Sequence, residues 1–121
     1  SMYNTPNCWG IYCCGKVFRY LLDNGGLEAM EQYNIRKAQV LYDFLDQSEM
    51  FNGTVDKEVR SLMNVPFVTP SKEMDAEVVA YTKAAGFDNL KGHKSVGGLR
   101  ASIYNAMPKE GVAALVECLA L

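Results

Sequence analysis

The chain has 121 residues, of which 49% are hydrophobic and 21% charged, with a formal net charge of −2 and a pI near 5.3. This composition is typical of a single globular domain that buries a two-layer core, and it excludes a disordered chain. The acidic balance argues against a nucleic-acid partner, and the lack of a long apolar run or signal peptide predicts a cytoplasmic protein without a membrane segment.

Two helices are predicted in the first part of the chain. Thr5 and Pro6 are typical of a helix start, because a hydroxyl N-cap is followed by proline at the first helical position. The helix that follows, over residues 7–23, is apolar around most of its circumference, so we expect other parts of the protein to cover several of its sides. Residues 24–26 (Asn-Gly-Gly) end it, and an amphipathic helix is predicted over residues 27–47.

A strand and a third helix are predicted next. Apolar residues alternate at Val59, Met63, Val65 and Phe67, which predicts a strand. Pro66 predicts that this strand ends there or lies at a sheet edge, because proline cannot donate to the ladder. Ser71 is the predicted N-cap of a helix over residues 72–85, and Gly86 is its predicted stop.

The last two elements are a strand and a helix. Leu99, Ala101 and Ile103 alternate with polar residues, which predicts a half-buried strand, and the final helix is predicted to start at Pro108. This order of elements predicts an α+β fold, a two-layer sandwich of helices on a small, mostly antiparallel sheet.

The four cysteines are Cys8, Cys13, Cys14 and Cys118. Neither a CxxC spacing nor a Cys/His cluster occurs, so no metal site is predicted. We expect buried, reduced thiols that act as small apolar side chains, because the chain has enough apolar mass to fold without disulfides.

Arg100 is a candidate binding residue. Strand alternation places its guanidinium on the face opposite Leu99 and Ala101. A planar fork of donors on a rigid strand is suited to bidentate binding of a carboxylate. A solvent-exposed arginine with an incidental ion pair is the alternative, and the residues alone leave the two open.

A second candidate is the stretch that leads into this strand. Lys91, His93 and Lys94 occur at nearly alternate positions before Gly97 and Gly98. They favour an anion pocket in which glycine-freed backbone N–H groups also take part. The alternative is a structural histidine beside solvated lysines.

Asn4 and Thr5 form a third candidate at the start of the first helix. The free N–H groups and the positive end of the helix dipole favour a phosphate there, and both side chains can donate to one. An ordinary N-cap is the alternative. The sequence therefore offers groups that hold anions, but no arrangement that makes or breaks bonds.

Four segments carry a resemblance to a known family over essentially the whole chain. They read YNTPNCWGIY, NGGLEAMEQYNIRKAQVLYDFLD, RSLMNVPF and KGHKSVGGLRASIYNAMPKEGVAALV. The chain resembles the C-terminal part of phosphoserine aminotransferase, and the GHKSVGGLRASIYNA segment is highly specific. Residues 1–121 are thus expected to be the C-terminal small domain, without the larger cofactor-binding domain that precedes it in the family.

The resemblance implies a class V, fold-type I aminotransferase that uses pyridoxal 5′-phosphate (PLP) and works as a homodimer. It would transfer an amino group between glutamate and 3-phosphohydroxypyruvate, giving 2-oxoglutarate and phosphoserine in serine biosynthesis. In many bacteria the family also serves pyridoxine synthesis. The lysine that carries the cofactor lies upstream in the family, so no catalytic residue is expected here. The chain alone is therefore expected to be inactive and not to bind PLP.

Matched by motif, five residues take roles from the family. Asn4 and Thr5 correspond to residues that bind the cofactor phosphate of the neighbouring subunit. His93 and Lys94 fall where the family binds the substrate phosphate, although Lys94 replaces a usual arginine. Arg100 matches the arginine that holds the substrate carboxylate. Two alternatives stay open: a free-standing α+β module that binds a phosphorylated metabolite without catalysis, and a class V aminotransferase of another substrate.

Overall fold

The structure is a computed structural model and describes residues 3–121. Its α-helices are α1 (Cys8–Asp23), α2 (Gly26–Gln47), α3 (Lys72–Ala84) and α4 (Lys109–Ala120). Its strands are β1 (Asn52–Gly53), β2 (Asn64–Val68) and β3 (Leu99–Ser102), and a short 3₁₀ helix spans Lys57–Val59. The chain divides into two compact units, Ser1–Tyr33 and Asn34–Leu121, which are described separately.

In the first unit, α1 begins later than predicted. Asn7 is its N-cap, and the side-chain oxygen of Asn7 accepts a hydrogen bond from the backbone N–H of Gly10 at 2.9 Å. The predicted cap at Thr5 is wrong, because Asn7 occupies the cap position and Pro6 therefore lies before the helix.

None of the side chains of α1 is buried. Large apolar residues on every side of the helix are exposed, Trp9 to 74% and Phe18 to 62%. The expectation that several sides of this helix are covered is not met within residues 3–121. The cysteine prediction is also corrected here: all four thiols are free, as expected, but Cys8 and Cys14 are exposed and none is buried.

The second unit contains a three-stranded antiparallel sheet in the order β1-β2-β3. Pro66 does not end its strand but lies in the middle of β2, opposite Arg100. The Arg100 N–H points away from β2 and donates to the Leu90 carbonyl, so no ladder hydrogen bond is needed between this pair. Since β1 pairs only with Phe67 and Val68, Pro66 lies at a locally free edge, as its chemistry requires.

The core lies on one face of this sheet. Val65 and Phe67 of β2 and Leu99 and Ala101 of β3 are at most 3% exposed, while the intervening residues are half-buried. The helix side chains packed into the same cluster include Leu41, Leu45, Val78, Val112 and Leu115. The predicted α+β fold and the predicted burial of alternate β3 residues are therefore confirmed. Val59 departs from prediction, because it belongs to the 3₁₀ helix and is 71% exposed.

Local capping groups define both ends of the third helix, α3. The Ser71 hydroxyl accepts a hydrogen bond from the Met74 N–H, and Gly86 follows the helix with a φ of 96°, so both predicted boundaries are confirmed. α4 begins directly after Pro108. None of the helices within residues 3–121 combines the length and apolar character needed to cross a membrane.

Candidate anion-binding site

The segment from Lys91 to Gly98, which we call the glycine loop, is closed at its base. Lys91 and Leu99 form an isolated antiparallel bridge, and the Gly92 N–H donates to the Gly98 carbonyl at 2.9 Å. A Cβ on Gly92 would lie 2.0 Å from the Gly97 carbonyl oxygen, so no other residue fits at this position. The loop is thus held in one shape at the entrance to β3.

The glycine loop fixes His93 through hydrogen bonds to its own chain. The His93 carbonyl accepts from the N–H groups of Val96 and Gly97, and the ring Nδ1 accepts from the Ser95 N–H at 3.2 Å. The Ser95 Oγ also lies 2.7 Å from Nδ1. Because Nδ1 accepts from an amide, the neutral ring carries its proton on Nε2, where it can be donated to a ligand.

The sequence interpretation expects backbone N–H groups of the loop glycines to take part in the anion pocket. The N–H groups of Gly92 and Gly97 donate within the loop, whereas the Gly98 N–H donates to no group of residues 3–121. Lys94 is exposed and its ammonium has no hydrogen bond or ion pair with residues 3–121.

A pocket of about 860 Å³ lies between the glycine loop and the first turns of α3. Its positively charged or chargeable residues are Lys72, Lys91, His93 and Lys94. Asp75 also lines the pocket, but one of its carboxylate oxygens accepts hydrogen bonds from both the N–H and the hydroxyl of Thr69, each at 2.9 Å. Three lysines against this one aspartate leave the pocket with a positive net charge, which suits a phosphate or carboxylate ligand.

Arg100 does not line this pocket. It lies on the open face of the sheet, defined here as Asn64, Pro66, Arg100 and Ser102, whose residues point away from the core. The Arg100 Nε is buried and has no hydrogen-bond partner, and the rest of the guanidinium pairs with no group in the described chain. The alternative of an incidental ion pair is thereby removed. An arginine held this way has its donors available for an external acceptor.

Asn4 and Thr5 belong to the first unit and are exposed. Neither side chain makes a hydrogen bond within residues 3–121, and neither caps α1, since Asn7 does so. The ordinary N-cap alternative is therefore wrong for Thr5. The structure brings together His93 and Lys94 in one pocket, and it places Arg100 on the adjoining strand.

Comparison with known protein families decides the classification. Residues 1–115 match the family described as Aminotransferase class-V. The chain belongs to the class-V aminotransferase family.

Among curated proteins, this chain is similar to phosphoserine aminotransferases. The chain is 53% identical to the phosphoserine aminotransferase of Listeria monocytogenes over 116 residues, which cover 96% of this chain and 32% of the relative. The corresponding protein of Bacillus cereus ATCC 10987 is 52% identical over 117 residues, covering 97% and 32%. The chain spans about a third of the length of the curated relatives it matches.

Solved structures agree with the fold. Phosphoserine aminotransferase from Bacillus circulans subsp. alkalophilus superposes with a TM-score of 0.94 at 47% identity, over 98% of this chain and 33% of that one. The PLP-bound phosphoserine aminotransferase from Trichomonas vaginalis gives 0.92 at 40% identity, over 99% and 35%.

Sequence reasoning missed two polar residues of this class-V aminotransferase chain. Lys37 of α2 is fully buried and donates from Nζ to the carbonyls of Tyr104 (2.7 Å) and Met107 (3.0 Å), and burial lowers the pKa of its ammonium. Asn64 lies on the open face beside Arg100. Neither position follows from local patterns, because both depend on contacts between distant parts of the chain.

Proposed function

We propose that this chain is the C-terminal domain of a phosphoserine aminotransferase, in which it supplies the binding groups for both ends of the substrate. The full-length enzyme would exchange the amino group of glutamate for the keto oxygen of 3-phosphohydroxypyruvate. The products are 2-oxoglutarate and phosphoserine. A cytoplasmic homodimer that serves serine biosynthesis, and in some organisms pyridoxine synthesis, is part of this proposal.

One observation carries the proposal: a chain about half identical to phosphoserine aminotransferases contains two unpaired cationic groups in separate places. The pocket with His93 and Lys94 suits the phosphate of the substrate. The fork of Arg100 suits its α-carboxylate, which glutamate and phosphoserine share. An enzyme for an unphosphorylated substrate has no need of the first group.

The residues of this chain also fit a role in cofactor binding. Asn4 and Thr5 are exposed, and their side-chain N–H and O–H donors are not used within residues 3–121. Such donors suit a phosphate, and we propose that they bind the PLP phosphate of the neighbouring subunit. PLP, when bound, supplies the carbonyl group and electron-accepting ring that transamination requires.

The exposed apolar surface of α1 argues against a free-standing binding module. Seven large apolar side chains of this helix are more than half exposed: Trp9, Ile11, Tyr12, Val17, Phe18, Tyr20 and Leu22. Surfaces of this kind on a helix are usually covered by another domain or subunit. We propose that the large domain and the partner subunit cover it.

The test compares the full-length enzyme with the 121-residue chain. The full-length enzyme should convert glutamate to 2-oxoglutarate with 3-phosphohydroxypyruvate, and much less well with unphosphorylated 3-hydroxypyruvate as the control acceptor. Equal rates with the two acceptors would contradict the phosphate assignment.

The isolated chain should show no transaminase activity. After incubation with one equivalent of PLP and borohydride reduction, peptide mass spectrometry should find no lysine labelled stoichiometrically. A single, fully labelled lysine would show that this chain itself carries the cofactor, and the proposed division of roles would be wrong.

A further inference from the structure

Asn64 is the polar residue of β2 that lies diagonal to Arg100 on the open face. In the β2–β3 register, Asn64 faces Ser102 and Pro66 faces Arg100, which makes Asn64 and Arg100 diagonal partners. Both facing pairs are of the closely spaced type without ladder hydrogen bonds, because the Arg100 N–H donates to Leu90 instead. Diagonal partners lie about 7–8 Å apart at Cα, which long side chains and a small ligand can bridge.

The hydrogen bonds of Asn64 leave one donor unused. Its Oδ1 accepts from the Ser102 hydroxyl at 3.0 Å and from the Tyr104 hydroxyl at 3.4 Å. Its Nδ2 approaches the Tyr104 hydroxyl at 3.3 Å and has no other partner within residues 3–121. A carboxamide has two N–H donors and an acceptor oxygen with two lone pairs. The acceptor is therefore fully used, and what Asn64 presents to a ligand is an N–H group.

Two further contacts fix the orientation of the Asn64 carboxamide. Ser102 comes from the same strand as Arg100, and its hydroxyl is half-buried against Asn64. The backbone of Tyr104 is held from the core side, where its carbonyl accepts from the buried Lys37 ammonium. The amide is thus set by groups that are themselves anchored, as a preorganised binding residue requires.

We infer that Asn64 donates a hydrogen bond to the same substrate carboxylate that Arg100 binds, and that Ser102 and Tyr104 position it; this inference rests on the proposed function. A carboxylate offers about four lone-pair positions, of which a guanidinium fork takes two. The amide N–H of Asn64 fills a third. Arg100 and Asn64 then both offer N–H donors to the ligand, and neither carries a negative charge that would repel a carboxylate.

Asn64→Asp isolates this donor. The substitution is nearly isosteric and keeps the oxygen that accepts from Ser102 and Tyr104, while it replaces the N–H group by a second oxygen. We expect kcat/KM of the full-length enzyme to fall roughly 100-fold or more for both glutamate and phosphoserine, because a negative charge now faces the carboxylate and competes for Arg100. Asn64→Ala should cost about tenfold and Ser102→Ala about threefold. Asn52→Asp, which makes the same change at an exposed residue of β1, is the matched control and should leave kcat/KM unchanged.

A double-mutant cycle with Arg100→Ala separates binding from mere structural support. If both residues bind one carboxylate, Asn64→Ala should have little further effect once Arg100 is gone, and the losses will be far from additive. Additive losses, or an Asn64→Asp enzyme with wild-type kcat/KM, would overturn the inference. If Asn64 variants are normal while Arg100→Ala is impaired, only this inference fails. If Arg100→Ala itself is normal, the proposed carboxylate site is wrong.

Discussion

The two proposed anion-binding sites of the second unit are built on different kinds of structure. His93 and Lys94 are exposed side chains on the glycine loop, whose shape is kept by backbone hydrogen bonds and by a close approach at Gly92. Arg100 is half-buried on β3, between core residues that are at most 3% exposed. A strand in a packed sheet fixes a planar fork in direction, whereas a loop at a pocket mouth supplies charge that adjusts to its ligand. We therefore expect the orientation of the side chain to matter most at the proposed carboxylate site, and its charge at the proposed phosphate site.

The largest effect is expected at the strand. Arg100→Ala in the full-length enzyme should reduce kcat/KM for glutamate and phosphoserine alike, by roughly 100-fold, because a bidentate charged contact contributes a few kcal/mol. Arg100→Lys should recover only a small part of this, since a point charge cannot replace the fork. Steady-state kinetics with glutamate and with phosphoserine measure this change in kcat/KM. A loss confined to one donor would mean that Arg100 does not bind the carboxylate they share.

The glycine loop is best tested through its closure. Alanine at Gly92 would place its Cβ 2.0 Å from the Gly97 carbonyl oxygen, so the loop must open and both His93 and Lys94 must move. We expect kcat/KM for phosphoserine to fall roughly 30-fold, and that for glutamate to fall much less.

Gly53→Ala is the matched control for the loop, because a Cβ there meets only Arg60 Nη2, at an ordinary 3.6 Å. This variant should behave as wild type with both donors. If Gly92→Ala impaired glutamate as severely as phosphoserine, the loop would support the whole sheet rather than the phosphate pocket alone.

A single charge should have a smaller effect than loop closure. Lys94→Ala removes one positive charge beside the phosphate and should lower kcat/KM for phosphoserine about tenfold, with glutamate nearly unchanged. Raised salt should shrink the difference, because the ammonium is exposed. Lys94→Arg should keep or improve the use of phosphoserine, since a guanidinium fork matches phosphate oxygens. Equal losses for both donors in Lys94→Ala would leave this lysine no role in phosphate binding.

Local chemistry accounts for the parts of the fold that the sequence predicted. The Ser71 cap, the Gly86 stop and the alternation through Leu99 and Ala101 each depend on neighbours a few residues away. The start of α1 was misplaced by the same logic: Thr5 and Asn7 are both competent caps, and the reach of the Asn7 side chain to Gly10 decided between them.

Long-range pairing accounts for what the sequence could not predict. The amphipathic pattern of α2 does not predict that the Lys37 ammonium is buried, because it donates to carbonyls 67 and 70 residues further along the chain. The position of Asn64 beside Arg100 follows from the β2–β3 register, which no local pattern specifies. At the candidate site, residue types alone nominate His93, Lys94 and Arg100 as anion-binding side chains, and this stays a prediction. They do not specify that the Gly97 N–H donates within the loop, because that partner is set by the fold.

The smallest expected effect is on stability, and it comes from an ion pair outside both proposed binding sites. Arg60 binds Asp46 of α2 through two hydrogen bonds of 2.6 and 3.0 Å, and chiefly this contact lowers the pKa of the Asp46 carboxyl from 3.8 to about 2. A carboxyl with a lowered pKa in the folded state contributes stability above pH 3.8, and this contribution is lost as the pH falls towards 2.

The free energy of unfolding, measured with urea between pH 6 and 2, should therefore fall less steeply in Asp46→Asn than in the wild type across that lower range. Glu49→Gln, which changes an exposed acid outside the ion pairs of Asp46, should keep the wild-type slope. Parallel curves for Asp46→Asn and the wild type would show that this ion pair does not distinguish the folded from the unfolded chain.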